Sequence, residues 1–370
     1  MKISNIKHLV LSGGGMLGIS YIGLIKYLED TLPNPITNNL QSITGCSAGA
    51  IFATFISIGY TSVELNIIVK KMNFKEYLNI NAESILNFMK LKGLESGKNL
   101  INFIKKYIKD KTGNEDITFK EIKERFNVEL QIGVTNLTKY KFELMNSINT
   151  PDIPIHKAIS ASIAIPFVFE PIVIGNDLYC DGGILNNLPI ENLIIFDNKL
   201  PIDKHIEKHI EKHIEKKEDI INDESKSESN EDNEDNESDT KEDTKEDTKE
   251  DDNENIKSDA KEIIEPTSIL AIYLLTNVNT INKDNYQSIP ISQYINSIIH
   301  SLSYEFVNHK IQINNIVNKE NEKCKIIIYN IPCDIMTFLK INSSHEDIDN
   351  IIEIAYRTTY ETFTRGKTPL

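Results

Sequence analysis

The sequence predicts an α/β fold with a mostly parallel central sheet and helices on both faces. Short and almost continuously apolar runs, such as residues 7–11 and 269–275, alternate with longer segments in which apolar residues recur every three or four positions. Strands that are apolar along their whole length are typical of parallel sheets covered on both faces. With 370 residues, of which 40% are hydrophobic, the chain can bury a sizeable core.

The first half of the chain contains most of the predicted elements. Residues 7–11 form the first strand, after which Tyr21, Leu24, Ile25 and Leu28 recur at helical spacing. A second apolar helix begins near Ala50, after a short strand that includes residues 43–44. Further patterns predict helices over 62–78, 82–91 and 97–109, and strands over 128–135, 140–145 and 178–180.

A segment of different composition interrupts the second half. Residues 203–265 contain three His-Ile-Glu-Lys repeats, no aromatic residue, and 26 acidic residues against 11 lysines. Such a segment cannot bury enough apolar surface to offset the entropy lost on ordering, so we expect a disordered acidic insertion. It separates residues 7–200, the first part of the folded core, from the remainder at 267–370. The other elements predicted in this half are a helix over 190–196, a helix over 291–309, a strand over 325–331 and a helix over 346–364.

Charge and cysteine content exclude several classes of protein. The insertion holds the whole net charge of −15, so the rest of the chain is neutral and has no basic patch of the kind that nucleic-acid binding requires. The four cysteines form no C-x-x-C pair, which argues against a zinc site or a disulfide framework. We find no signal peptide and no apolar run of the roughly 18–20 residues that span a bilayer. We therefore expect an intracellular, cytoplasmic protein.

Residues Gly45-Cys46-Ser47-Ala48-Gly49 match G-x-S-x-G, the pattern of a nucleophile elbow. A serine on a tight turn between a strand and a helix needs glycine two positions to either side, because a Cβ would clash where the backbone segments meet. Such a turn raises the hydroxyl above the sheet, at a helix N-terminus that favours developing negative charge. The position between an apolar strand and an apolar helix favours Ser47 as a nucleophile over an ordinary glycine turn.

The glycine-rich residues 13–18 allow two functional interpretations. Gly13, Gly15 and Gly18 fit the G-x-G-x-x-G pattern of dinucleotide-binding folds, but that pattern calls for an acidic residue about 20 positions further on. Residues 31–46 contain no Asp or Glu. The second interpretation is an oxyanion hole, in which consecutive glycine N–H groups point at a developing negative charge. We favour this interpretation and expect Gly13, Gly14 and Gly15 to form the hole.

Asp181-Gly182-Gly183 follows the predicted strand over 178–180. On its own, Asp-Gly-Gly is a common turn sequence. In company with the other two motifs, it supplies a carboxylate that can act as the base for a serine, provided that burial raises its pKa toward neutrality.

These three motifs resemble those of the patatin-like phospholipases and occur in the family's order. The last motif extends to Asp-Gly-Gly-x-x-x-Asn-x-Pro through Asn187 and Pro189. The resemblance covers roughly residues 7–196, and the strand at 269–275 continues it. It implies a patatin-like three-layer α/β sandwich.

The resemblance also implies a function: hydrolysis of lipid carboxylic esters by a dyad of Ser47 and Asp181, without a histidine, a metal or another cofactor. A lipid ester substrate and peripheral contact with a membrane or lipid surface are implied as well. The remaining motif residues are Gly18, Gly45, Gly49, Gly182 and Gly183. Three positions depart from the family and put substrate preference in question: Leu17 stands where many members carry Arg or Lys, Ser160 replaces a frequent Arg, and Phe167 replaces a frequent Gly.

Several alternatives remain open at this point. A Ser-His-Asp esterase would use one of the histidines that follow Asp181, namely His300, His309 or His345, although the elbow of α/β-hydrolases usually follows several strands. A catalytically silent lipid-binding or scaffold protein on the same fold is a second alternative. The evenly spaced His205, His209 and His213 could line a metal site, but a low-complexity repeat explains the same spacing. Residues 163–169, together with Met16 and Leu17, form either an acyl-chain groove or part of the core.

Overall fold

The computed structural model describes residues 3–32, 35–73, 90–190, 267–277, 324–334 and 345–365, together with Tyr77, Ser84 and Phe88. Within these ranges, eight strands form one sheet in the order β10-β9-β1-β2-β4-β8-β7, and β5 pairs with β4. The strands of this sheet are β1 (Ile6–Leu11), β2 (Ser42–Cys46), β4 (Glu129–Asn136), β5 (Lys141–Met145), β7 (Ile172–Ile174), β8 (Asp177–Asp181), β9 (Thr267–Asn277) and β10 (Cys324–Asp334). Two short strands, β3 (Gly93–Glu95) and β6 (Phe167–Phe169), pair separately.

The helices of the described ranges alternate with these strands, as the sequence predicts. Their bounds are α1 (Ser20–Thr31), α2 (Ala48–Ser57), α3 (Ser62–Lys70), α4 (Lys98–Thr112), α5 (Phe119–Phe126), α6 (Ile155–Ser162), α7 (Gly183–Asn186) and α8 (His345–Arg365). Helices α3 and α5 begin at reciprocal capping boxes, Thr61 with Glu64 and Thr118 with Glu121, which satisfy backbone N–H groups that the helix itself cannot pair. No helix among the described residues combines the length and the apolar character that crossing a membrane requires.

Parallel pairing is confined to one half of the sheet. Strands β10, β9, β1, β2 and β4 run parallel, and all of their residues whose burial is described are buried except Lys7 and Glu129, which are half-buried. This explains the almost continuously apolar runs that predict them. The other half is antiparallel: β5 and β8 each pair with β4, and β7 pairs with β8. Short turns join β4 to β5 and β7 to β8, and consecutive strands joined in this way are antiparallel. The α/β class is therefore confirmed, and the sheet is mixed.

The segment after position 265 completes the same sheet and core. Strand β9 pairs with β1, and Leu270 and Ile272 join Leu9 and Leu11 in one hydrophobic core. The predicted acidic insertion at 203–265 lies outside the described residues, as does the predicted helix over 291–309. Six of the ten residues of the helix predicted over 82–91 also lie outside them, and the four described ones are helical. Of the helix predicted over 190–196, only Ile190 is described. The helix predicted over 62–78 ends earlier, at Lys70.

Helix α8 packs closely against α1. A Cβ on Gly23 would collide with the backbone of Ile352 and would lie 2.8 Å from the Cβ of Ala355, so the two helices touch along their backbones. Tyr27 of α1 stacks on Phe363 with a centroid distance of 5.7 Å and meets Tyr356 edge-on at 5.9 Å. Helix α8 is thus part of the same hydrophobic core as the strands that precede it in the chain.

We expect Gly23→Val to destabilise the protein. Valine has a higher helix propensity than glycine, but a side chain at this position must push α8 away, and overpacking of this kind costs about 1–3 kcal/mol. Chemical denaturation should give a lower free energy of unfolding for this variant, whereas Ile354→Ala, at an exposed position of α8, should remain close to the wild type. Equal stabilities of Gly23→Val and the wild type would contradict the close packing of α1 against α8.

Candidate active site

Ser47 occupies a strained turn between β2 and α2. Its backbone has φ 52° and ψ −123°, an unfavourable conformation for a residue with a side chain. A Cβ on Gly45 would collide with the carbonyl oxygen of Gly49, and a Cβ on Gly49 would collide with the carbonyl oxygen of Leu11. The two glycines are therefore needed because β1, β2 and α2 approach one another at their backbones. The strand, the tight turn at Ser47 and the helix follow one another as the sequence predicts.

Ser162, at the end of α6, holds this turn in place. The Ser47 N–H donates to the Ser162 Oγ at 2.8 Å, and the Ser162 hydroxyl donates to the carbonyl oxygen of Gly133 in β4 at 2.7 Å. Ser162 is completely buried. The sequence pattern assigns no role to Ser162, because both of its partners are distant in the chain and the only local signal is the run of small residues at 158–162.

Asp181 ends β8 beside the elbow. In the register of the sheet, Asp181 lies opposite Val134 of β4, one position beyond Gly133, which pairs with Cys46 of β2. Its backbone is fixed on both sides: the Asp181 N–H donates to the carbonyl oxygen of Ala164, and the Thr135 hydroxyl donates to the carbonyl oxygen of Asp181, each at 2.9 Å. Strand β4 thus brings together two motifs that are 134 positions apart.

The Asp181 carboxylate accepts a hydrogen bond from the backbone N–H of Gly183 at 2.7 Å, and the Ser47 hydroxyl lies beside it. Ser47 is 6% exposed and Asp181 is 5% exposed, so the pair is almost closed off from water. Burial raises the pKa of Asp181 to about 6, although the Ser47 hydroxyl and the Gly183 N–H both act in the opposite direction. Asp181 is therefore ionised at neutral pH and still close enough to neutrality to accept a proton.

The two cysteines beside the site pack as small buried side chains. Cys46 and Cys180 are buried, and a Cβ on Gly182 would lie 2.8 Å from the Sγ of Cys46. Burial, with a further contribution from the charge of Asp181, raises the pKa of the Cys180 thiol to about 12. The Cys180 thiol therefore stays protonated at neutral pH.

The glycine-rich loop lies directly against Ser47. A Cβ on Gly13 would be 2.8 Å from the Cβ of Ser47, which places the loop beside the elbow as the oxyanion-hole interpretation requires. The Gly13 N–H is already used, because it donates to the Oδ1 of Asn187 at 2.9 Å. Within the described part of the chain, the N–H groups of Gly14 and Gly15 find no acceptor. Of the three predicted oxyanion-hole donors, Gly13 therefore has no N–H available for a substrate oxygen, and Gly14 and Gly15 remain candidates.

The described histidines make hydrogen bonds away from Ser47 and Asp181. His8 pairs with Ser42 at 2.8 Å, His156 with Asp116 at 2.9 Å, and the Nε2 of His345 with the carbonyl oxygen of Lys70 at 3.2 Å. His345 begins α8, and its ring pairs with the end of α3 rather than with Ser47 or Asp181, so nothing in the described part of the chain supports a triad that uses it. His300 and His309, like His205, His209 and His213, lie outside the described residues. No cluster of acidic, histidine or cysteine side chains in the described ranges could hold a metal ion.

The residues that depart from the family pattern have three different environments. Leu17 is 3% exposed and belongs to the core, and the Ser160 hydroxyl donates to the carbonyl oxygen of His156 within α6. Phe167 is 59% exposed and has φ 70°, so a phenylalanine here adopts a conformation that suits the glycine frequent in the family. The run 163–169 is thus partly core, since Ile163 and Ala164 are buried, and partly surface.

Comparison with known proteins assigns the same class as the fold and the site. The family model for patatin-like phospholipases matches residues 9–194, and the chain belongs to this family. An uncharacterized protein of Acanthamoeba polyphaga mimivirus is 34% identical over 197 residues, which are 53% of this chain and 63% of that protein. The probable lipid hydrolase 463L of Invertebrate iridescent virus 6 is 32% identical over 201 residues, 54% of this chain and 67% of that protein.

A more distant relative has a named substrate class. Triacylglycerol lipase 4 of Saccharomyces cerevisiae is 28% identical over 216 residues, 50% of this chain and 22% of that protein. The chain thus spans about two thirds or less of the length of each of these relatives.

We expect Ser162→Ala to destabilise the protein more than Ser160→Ala does. The first substitution leaves the Ser47 N–H and the Gly133 carbonyl buried without a partner, and each such group costs about 1–3 kcal/mol. Ser160 lies on the same helix and loses only a bond to His156 within that helix. Urea denaturation of both variants measures the difference. Equal free energies of unfolding would mean that Ser162 does not anchor the elbow.

We also expect the buried carboxylate of Asp181 to lower stability at neutral pH. Its pKa is raised from 3.8 to about 6 in the folded state, so the folded state binds more protons between these values, and stability falls as the pH rises through this range. Asp181→Asn removes the effect and should raise the melting temperature at pH 7.5 but not at pH 4. A shift of two pKa units corresponds to at most about 3 kcal/mol.

Asp177, on the same strand, provides a control of opposite sign. Its hydrogen bond from Lys139 lowers its pKa, so Asp177→Asn should lower the melting temperature at pH 7.5 or leave it unchanged. A melting temperature of Asp181→Asn that does not exceed the wild-type value at pH 7.5 would contradict the proposed cost of burying Asp181.

Proposed function

We propose that this chain is a serine acyl hydrolase that cleaves lipid carboxylic esters with a dyad of Ser47 and Asp181. The observation that carries the proposal is the position of the Ser47 hydroxyl beside a buried carboxylate whose pKa is raised to about 6. The adjacent glycine loop, whose Gly14 and Gly15 N–H groups find no acceptor in the described ranges, supplies the other half of an acyl-transfer site.

In the acylation step, Asp181 accepts the Ser47 proton as the Oγ attacks the ester carbonyl carbon. The negative charge that develops on the carbonyl oxygen is stabilised by the N–H groups of Gly14 and Gly15, and each such donor contributes about 2.7–4 kcal/mol. The N-terminus of α2, which begins at Ala48, adds a favourable dipole. The C–O bond to the leaving alcohol or lysolipid then breaks, and Asp181 returns the proton to that oxygen.

Deacylation uses the same groups in the reverse direction. Asp181 accepts a proton from a water molecule as this water attacks the acyl-serine, and the glycine amides again hold the oxyanion. The fatty acid leaves, and the proton returns to the Oγ of Ser47. Since each proton moves between Ser47, Asp181 and the substrate oxygens, no metal or histidine is needed.

The substrate class rests on the family and on the names of the relatives. The family is that of the patatin-like phospholipases, and the matching relatives include a probable lipid hydrolase and a triacylglycerol lipase. Carboxylic esters of lipids are the substrates that these proteins share. We propose peripheral contact with the lipid surface that presents them, since Phe167 is exposed in the segment that follows α6.

We expect Ser47→Ala, Asp181→Asn and the double variant to lose similar amounts of activity, about 10³-fold or more in kcat, because residues that act as one unit are not additive. A soluble p-nitrophenyl ester, phospholipid vesicles and a triglyceride emulsion should be tested in parallel, and the rates on the last two define the preferred lipid. A fluorophosphonate should label the wild type at Ser47 and leave Ser47→Ala unlabelled.

His156→Ala and His345→Ala serve as controls, because both histidines make their bonds elsewhere and these variants should keep wild-type kcat. An equal loss on replacing His345, or on replacing His300 or His309, would favour a Ser-His-Asp esterase. A folded wild type that neither hydrolyses any of the three esters nor reacts with the fluorophosphonate would favour a silent lipid-binding protein.

A further inference from the structure

The side chain of Asn187 joins the Asp-Gly-Gly turn to the glycine-rich loop. Its Oδ1 accepts the Gly13 N–H at 2.9 Å, and its Nδ2 donates to the Gly13 carbonyl oxygen at 3.2 Å, across 174 positions of sequence. We infer that Asn187 is a positioning residue, which sets the direction of the oxyanion-hole donors and ties them to the base. This inference rests on the function proposed above and adds a residue to its machinery.

The planarity of the peptide group transmits the effect of Asn187 to Gly14. The Gly13 carbonyl and the Gly14 N–H belong to the same peptide, which is trans like all described peptides. In a trans peptide these two groups point in opposite directions. The hydrogen bond that holds the Gly13 carbonyl toward Asn187 therefore turns the Gly14 N–H away from Asn187 and leaves it free for a substrate oxygen.

Pairing with Asn187 also removes the Gly13 N–H from the site. Without Asn187, three successive glycine amides would be unpaired, and a chain of three glycines has many accessible conformations. With both polar groups of Gly13 paired, the loop holds one arrangement beside Ser47, whose Cβ lies 2.8 Å from where a Cβ of Gly13 would be. A donor fixed before the reaction stabilises the transition state without reorganisation, which is the source of oxyanion-hole catalysis.

Asn187 also lies near the proposed base. A Cβ on Gly183 would be 2.9 Å from the Oδ1 of Asn187 and 3.0 Å from the Oδ1 of Asp181, so the two side chains flank the same glycine. The single helical turn α7 separates them in the chain. Because both side chains emerge from this short rigid unit, the position of the glycine donors is fixed relative to the proton acceptor.

The chemistry of this contact requires asparagine. The side chain must donate and accept at once, and only an amide does both with two atoms in one plane. Aspartate has the same shape but cannot donate, and it would place a second carboxylate close to Asp181. In the described part of the chain, the groups that act on the pKa of Asp181 besides burial are the Ser47 hydroxyl and the Gly183 N–H, so no positive charge would offset that carboxylate.

Two variants of the full chain test the inference on a soluble ester. Asn187→Ala should lower kcat about 10- to 100-fold with little change in KM, because the lost orientation matters in the transition state rather than in substrate binding. Its kcat/KM should still fall below about pH 6, where Asp181 becomes protonated. Asn187→Asp should also lower kcat, and the acid limb of its kcat/KM profile should move to higher pH, because a neighbouring like charge raises the pKa of the base.

Asn176→Asp is the matched control for the added charge. Asn176 is exposed in the turn between β7 and β8, and this variant should keep the wild-type kcat and pH profile. Hydrogen–deuterium exchange over residues 12–18 gives a readout that does not depend on activity, and exchange at Gly13 should become faster in Asn187→Ala. If Asn187→Ala does not fold, the isosteric Asn187→Asp still tests the inference through its acid limb.

The outcomes separate this inference from the function on which it rests. An active wild type with unchanged kcat in Asn187→Ala, or with an unmoved acid limb in Asn187→Asp, would overturn the positioning role and leave the proposed function intact. A wild type that is inactive on every ester and is not labelled by a fluorophosphonate would overturn the proposed function, and the positioning role with it.

Discussion

The close approach of backbone segments around Ser47 is the constraint on which the rest of the site depends. The ends of β1 and β2 and the start of α2 meet with no room for side chains at Gly45 and Gly49. This approach forces Ser47 into a positive φ and directs its hydroxyl toward β8. Because the same approach brings the loop after β1 against Ser47, the three groups of the proposed site meet in one place: the Ser47 hydroxyl, the Asp181 carboxylate and the N–H groups of the glycine-rich loop.

Such a site lowers stability, and the surrounding structure must offset this. A serine at positive φ costs roughly 1–3 kcal/mol, and the buried carboxylate of Asp181 adds a cost at neutral pH. The parallel strands that carry the site are buried on both faces, and α8 reinforces α1 from the far end of the chain. The backbone strain at Ser47 and the buried charge of Asp181 therefore both lie in the proposed site. This is the usual conflict between stability and activity.

Local patterns predict the elements well, and pairings between distant segments account for what they miss. The apolar runs place β1, β2, β4 and β9, and the glycine spacing predicts the elbow, because each of these features is encoded within a few residues. The pairing of β8 with β4, the Ser162 anchor and the engagement of the Gly13 amide depend on contacts across 29 to 174 positions of sequence. The sequence shows Asn187 as part of the extended Asp-Gly-Gly motif, but the proposed positioning role depends on its hydrogen bonds with Gly13, which only the structure gives.

In the proposed dyad, the environment of Asp181 explains how a carboxylate can replace the usual histidine. In a Ser-His-Asp triad, a third residue orients the imidazole, whose pKa already lies near neutrality. Here the Gly183 N–H orients the carboxylate, and burial shifts its pKa upward. The two effects oppose each other: without burial, Asp181 would be a weaker base, and without the N–H its pKa would be higher still. The short turn after β8 thus supplies both the orientation and the limit on the pKa that a dyad without histidine requires.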